Sequence, residues 1–139
     1  LCKTSYAVAA ELQDLMVTTD LGPQTTVVGR PSSAVPLYIH IAELAQQWNT
    51  ADNIGLVVGA TQLEALERVR AAAPGLWFLV PGVGAQGGDL EAALRLGLRA
   101  DGKGLLVNVS RGIARAENPG AAAAELRDQI VNLRRDLHL

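Results

Sequence analysis

The chain has 139 residues, of which 49% are hydrophobic, 19% charged and only 4% aromatic, the composition of one globular domain with an aliphatic core. A net charge of −2 leaves no basic footprint for nucleic acid, and no apolar run approaches the ~18 residues of a transmembrane helix. Cys2 is the single cysteine, which excludes an internal disulfide and a cysteine metal cluster; with no signal-peptide pattern, the expected setting is reducing and cytoplasmic, with neither nucleic acid nor membrane as partner.

Residues 1–5 read as the end of a strand, and a chain that starts there without Met is expected to be a piece of a longer protein. Residues 7–16 predict a helix with Val8, Leu12 and Leu15 on one face. Residues 17–35 are expected to be a loop insertion, because Gly22, Pro23, Gly29 and Pro31 stand there among Thr and Ser. Pro36 suits the first turn of a helix, in which Leu37, Ile41, Leu44, Ala45 and Trp48 recur at helical spacing. The apolar run 54–60 has the pattern of a strand buried on both faces. Thr61 and Glu64 then spell a capping box for a helix carrying Leu63, Leu66 and Val69, stopped by Pro74 and Gly75.

Residues 76–80 form the next strand, and a glycine-rich loop follows it. Asp89 can cap a helix with Leu90, Ala93, Leu94, Gly97 and Leu98 on one face. After a turn at Asp101-Gly102-Lys103-Gly104, residues 105–109 make a strand that ends in Ser110-Arg111-Gly112. Asn118 and Pro119 open a last helix whose apolar stripe is Ala122, Leu126, Ile130, Leu133 and Leu137. This alternation of strand and helix predicts a single α/β domain over 1–139 with a parallel sheet.

Chemistry concentrates at two strand ends. Gly82-Val83-Gly84-Ala85-Gln86-Gly87 matches G-x-G-x-x-G, the dinucleotide spelling. Its context argues against that reading. The loop follows the third strand rather than the first, the next strand ends in Ser110-Arg111 instead of a ribose-binding acid, and the helix starts after the glycines. The alternative is a phosphate site of the barrel type, in which the loops after the last two strands grip the anion. Arg111 can form paired charge-assisted hydrogen bonds to phosphate, and Gln86 offers an amide donor. The plainer possibility stays beside it: the glycines only make a tight turn, and Arg111 is a solvated charge.

Gly55-Leu56-Val57-Val58-Gly59-Ala60-Thr61, Pro81-Gly82-Val83-Gly84-Ala85-Gln86-Gly87-Gly88-Asp89 and Asn108-Val109-Ser110-Arg111-Gly112-Ile113 together resemble the last three strand ends of the orotidine 5′-monophosphate decarboxylase family, above all its bacterial branch. Lys3-Thr4-Ser5, with Ala10-Glu11-Leu12-Gln13-Asp14-Leu15 after it, resembles the end of that family's fifth strand. The resemblance implies the carboxyl-terminal half, strands five to eight with their helices, of a (β/α)₈ TIM barrel with parallel strands. It implies an enzyme that converts orotidine monophosphate to UMP and CO₂ in pyrimidine biosynthesis, without metal or organic cofactor. Arg111, with backbone N–H groups near Ser110 and Gly112, would hold the phosphate. Gln86 would bridge phosphate and pyrimidine, Ser5 would bond the pyrimidine, and Pro81 and Val83 would line the pocket. Tyr6-Ala7-Val8 departs from the Asn-Pro-Gly usual after that Ser, which leaves the detailed setting of Ser5 open.

The family's catalytic D-x-K-x-x-D is missing. A carbanion forms as CO₂ leaves, so a cation must wait there and then deliver a proton. The chain has only two lysines, Lys3 and Lys103. Asp101-Gly102-Lys103 lacks the second Asp, since Leu106 stands in its place, and it reads as a solvated turn. The expected partners are therefore an absent amino-terminal half-barrel, or a second copy in a homodimer, either of which would cover the open strand edges. Two other functions stay open: a noncatalytic phosphate- or nucleotide-binding module, and a Rossmann-type NAD(P)-binding fragment. His40, His138 and Cys2 are too scattered for a metal site, Cys2 is expected to be a buried inert thiol, and Trp48 is placed on its helix's core stripe.

Overall fold

The computed structural model describes residues 1–4, 6–18, 34–84 and 87–137. Its centre is a parallel sheet of β3 (Gly55–Val57), β4 (Trp77–Pro81) and β5 (Leu105–Asn108), each strand lying beside the next in sequence. The register pairs Leu56 with Phe78, and Phe78 with Leu105. Lys3 adds a parallel bridge to Val58, so the first residues run along the free side of β3. The continuous apolar runs explain these strands, but burial falls on one face only. Leu56, Val58, Phe78 and Val80 are buried beneath helices. Val57 is half-buried, and Leu79 and Leu106 are exposed on the other face. The expectation of burial on both faces for 54–60 is thus corrected: among the described residues no second layer covers that face.

Three helices supply the covering layer: α2 (Leu37–Trp48), α3 (Leu63–Ala72) and α4 (Leu90–Gly97). Asp89 caps α4 by accepting from the Ala92 N–H at 3.1 Å, as its position predicts. Gly97 lets α4 sit close, since a Cβ there would meet Leu66 and Leu105 methyls at 3.1 Å. The Thr61–Glu64 capping box does not form: Gln62 occupies the cap of α3 without a side-chain bond, and Glu64 turns to Arg68. In α2 the buried residues are Tyr38, Ile39, Ala42 and Ala45, and Trp48 is 64% exposed, so Trp48 is not on the core stripe. Packing against α3 selects the face with small residues, which lets the two helices approach.

The expected helix over 7–16 is mostly replaced. A 3₁₀ turn (Ala7–Ala9) leads into the four-residue α1 (Ala10–Gln13), and Val8, Leu12 and Leu15 are exposed. The chain then enters β1 (Met16–Thr18), which pairs antiparallel with β2 (Ala34–Pro36). Pairing to β2 takes only Met16 of the expected helix, α1 having ended at Gln13, and Pro36 becomes the cap of α2 rather than part of its first turn. The 17–35 insertion therefore has a hairpin base; residues 19–33 lie outside the described residues.

After β5 come α5 (Arg111–Ala114) and α6 (Pro119–Asp136), the latter capped by Asn118, which accepts from Ala121 N–H at 3.0 Å. Ala122, Leu126, Ile130, Leu133 and Leu137 are all half-buried, as a stripe packed against one neighbour would be. At the amino end of the sheet Arg70 is the main tie. Its guanidinium donates to the carbonyls of Gly97 (2.7 Å), Leu76 (2.8 Å), Ala73 and Gly104 (both 3.1 Å) and Pro74 (3.3 Å), and stacks 3.6 Å from the Phe78 ring centre. Burial, and secondarily the Arg99 charge, lowers its pKa to about 10. Asp101 pairs with Arg99 at 2.8 Å and accepts from the Lys103 N–H, so this turn is the solvated structure expected of it.

Candidate functional site at the carboxyl ends of the strands

β4 delivers its chain into the glycine loop at the end opposite Arg70. Gly82, Gly84 and Gly87 have φ of 100°, 73° and 79°, values at which a side chain would be strained. The loop closes on itself: Gly84 N–H donates to Gly88 O at 3.2 Å, Gly87 N–H to Gly84 O at 2.7 Å and Gly88 N–H to Gly82 O at 3.0 Å. Gly88 is required for a different reason, because a Cβ would lie 2.6 Å from Gly82 O and 2.8 Å from Ala60 Cβ. Three loop N–H groups are therefore committed internally, and the open donors lie across the gap, on α5. There the Arg111 and Gly112 N–H groups begin the first turn and have no hydrogen-bond partner among the described residues.

Between loop and turn lies a cleft of about 140 Å³ lined by Pro81, Gly82, Val83, Asn108, Val109, Ser110, Arg111 and Gly112. It brings together Pro81, Val83, Ser110, Arg111 and Gly112, five of the seven residues expected at the site. The other two, Ser5 and Gln86, lie outside the described residues. Arg111 is exposed and makes no ion pair among the described residues, which leaves its guanidinium available. Ser110 Oγ donates weakly to Asn108 Oδ1 at 3.4 Å, and this ties the turn to the end of β5.

A larger cleft of about 600 Å³ opens beside it, lined by Leu1, Lys3, Thr4, Tyr6, Val57, Gly59, Thr61 and Pro81. Pro81 is the wall common to both. Asn108 and Thr4 were given no role from the sequence, and Lys3 has a carboxylate partner that spacing did not reveal: its Nζ lies 2.5 Å from Asp14 Oδ1. The ammonium is also 5.1 Å from the centre of the Tyr38 ring. Cys2 is fully buried, donates to Tyr38 O at 3.2 Å and has its pKa raised to about 11 by burial, so it is an inert thiol. No metal-holding group of His, Cys, Asp or Glu occurs among the described residues, and none of their helices is long and apolar enough to cross a membrane.

Parallel strands in sequential order, covered by helices, with adjoining clefts at their carboxyl ends, define an α/β protein of the kind that binds ligands at strand ends. The chain belongs to the orotidine 5′-phosphate decarboxylase / HUMPS family, whose family model matches residues 7–126. An orotidine 5′-phosphate decarboxylase of Roseiflexus castenholzii is 42% identical over 135 residues, covering 96% of this chain and 44% of that protein. Among solved structures, Leishmania donovani OMP decarboxylase superposes with a TM-score of 0.77 at 50% identity, covering 96% of this chain and 46% of the other. Leishmania donovani UMP synthase gives 0.80 at 53% identity, covering 96% and 27%. The chain thus spans less than half the length of these relatives.

Proposed function

We propose that this chain is the phosphate-gripping, carboxyl-terminal half of an orotidine 5′-phosphate decarboxylase (β/α)₈ barrel, acting in the cytoplasm on orotidine monophosphate to give UMP and CO₂. The observation that carries the reading is the pair of clefts divided by Pro81. The small one presents Arg111 and two backbone N–H groups without a partner among the described residues for a phosphate, and the larger, which shares the Pro81 wall, has room for a sugar and base. The sequential strand order supports a barrel and argues against a Rossmann-type fragment, which needs a reversal of strand order at its site.

In this reading Gln86 bridges phosphate and pyrimidine, Ser5 meets the base, and the Lys/Asp centre comes from an amino-terminal half-barrel. Lys3 is committed to Asp14 and Lys103 lies at the opposite end of the sheet, so neither serves as that centre. Phosphate binding contributes energy that orders the loop and is expressed in the transition state. The isolated chain is inactive, and its uncovered sheet face pairs with the missing half or with a second copy.

The test joins this chain to the amino-terminal half of a relative. Arg111→Ala is expected to lower kcat/KM for orotidine monophosphate about 10- to 100-fold, the scale of a lost charge-assisted hydrogen bond, and to leave the nucleoside nearly unchanged. Equal losses for both would overturn the phosphate role. A second reading, a noncatalytic nucleotide-binding module, is favoured only by the engagement of Lys3 with Asp14. Decarboxylation by the joined halves would exclude it.

A further inference from the structure

We propose that Gln13 is a positioning residue for the base side of the site, fixing the Thr4 wall of the larger cleft. The inference rests on the reading of the two clefts as parts of one nucleotide site. Gln13 is 9% exposed, and its side-chain oxygen accepts from the Thr4 N–H at 3.1 Å. Thr4 Oγ1 in turn accepts from the Tyr6 N–H at 3.3 Å, so the turn at the strand end is built from side chain to backbone.

Lys3 is the anchor next to it. Its N–H donates to Val57 O at 3.2 Å, its carbonyl accepts from Gly59 N–H at 2.9 Å, and its ammonium reaches Asp14. Two neighbouring residues at the end of α1, Gln13 and Asp14, thus clasp two neighbouring residues at the strand end, Thr4 and Lys3. Apolar packing does not hold α1 there, since Val8 and Leu12 face outward. A buried amide is a costly way to fill space, and its oxygen is the acceptor for a strand-end N–H that has no other partner among the described residues. Gln13 does not line either cleft, whereas Lys3, Thr4 and Tyr6 line the larger one. Its influence therefore passes through Thr4 and is confined to the base side, away from the phosphate cleft beyond Pro81.

The experiment compares UMP with ribose 5-phosphate binding by the joined halves. Gln13→Met is expected to weaken UMP about tenfold and ribose 5-phosphate less than about twofold. Gln13→Glu keeps an acceptor and is expected to restore UMP affinity. Unchanged UMP affinity in Gln13→Met, equal losses for the two ligands, or no rescue by Glu would overturn the proposal. Should Gln13→Met fail to fold, Asp14→Asn loosens the same clasp, and an unaltered UMP to ribose 5-phosphate ratio there would overturn it as well. Failure of the nucleotide reading is distinct: the unmutated protein would then bind neither ligand.

Discussion

Arg70 shows how far a single side chain can serve as architecture. Five backbone carbonyls from Ala73 to Gly104 converge on it, and two of them, Ala73 and Gly104, also accept from the Leu76 and Phe78 N–H groups. Arg70→Met is expected to destabilise the protein by about 2–4 kcal/mol, because five hydrogen bonds are lost together and the Leu76 and Gly97 carbonyls lose this donor. Arg70→Lys is expected to recover less than half of that, since a point-like ammonium cannot span the set; urea unfolding of the three proteins checks both. Cys2 gives a pH signature. Its thiol is held protonated to about 11 in the fold against a usual 9.0. The folded state then binds more protons than the unfolded chain inside that window, so its stability is intact below pH 9 and is lost as pH rises towards 11. Cys2→Ala should flatten that decline in unfolding midpoint between pH 8 and 11. The role of Arg70 was not legible in the sequence: it looks like any helical arginine, because its acceptors are backbone groups that leave no trace in residue types. The buried thiol was legible, since a lone Cys without a nearby His has few other fates.

At the scale of elements, what could be read was local. Asp89 and Asn118 cap α4 and α6 with groups three residues away, and the glycine loop's spelling demands backbone angles that only glycine adopts freely. What could not be read was set by distant partners. β1 finds β2 across some sixteen residues, and it starts at Met16, inside the helix that periodicity expects over 7–16. The Lys3–Asp14 and Thr4–Gln13 contacts lie at separations of 11 and 9 residues, which match neither helical nor strand spacing. Five of the seven candidate residues line one cleft, as consecutive strand ends must meet at one rim of a parallel sheet. The loop itself predicts that Gly88→Ala costs about 1–3 kcal/mol, as backbone at Gly82 cannot yield like a flexible side chain. The same change should weaken phosphate binding by the joined halves, whereas Asp89→Ala should cost about 1 kcal/mol with smaller effect on affinity. Calorimetry with and without UMP separates the two.

Among the described residues the molecule is one-sided. Helices cover Leu56, Val58, Phe78 and Val80, while Leu79 and Leu106 face outward and β5 ends the sheet with an unpaired edge among the described residues. Such an edge invites pairing with another chain. The lone chain is therefore expected to associate at micromolar concentration, and light scattering should show a shift to a 1:1 complex when an amino-terminal half-barrel is added. A well-behaved monomer with cooperative melting would contradict this. The hairpin has a further consequence of a different kind. Thr18 and Ala34 face one another as the last pair of β1 and β2, so the stretch between them begins and ends at one point in space. Its length is then almost free to vary, since doubling a closed loop costs only about 0.6 kcal/mol. New chain termini could be opened at this point and a reporter domain inserted, while the strand ends that shape the clefts keep their order.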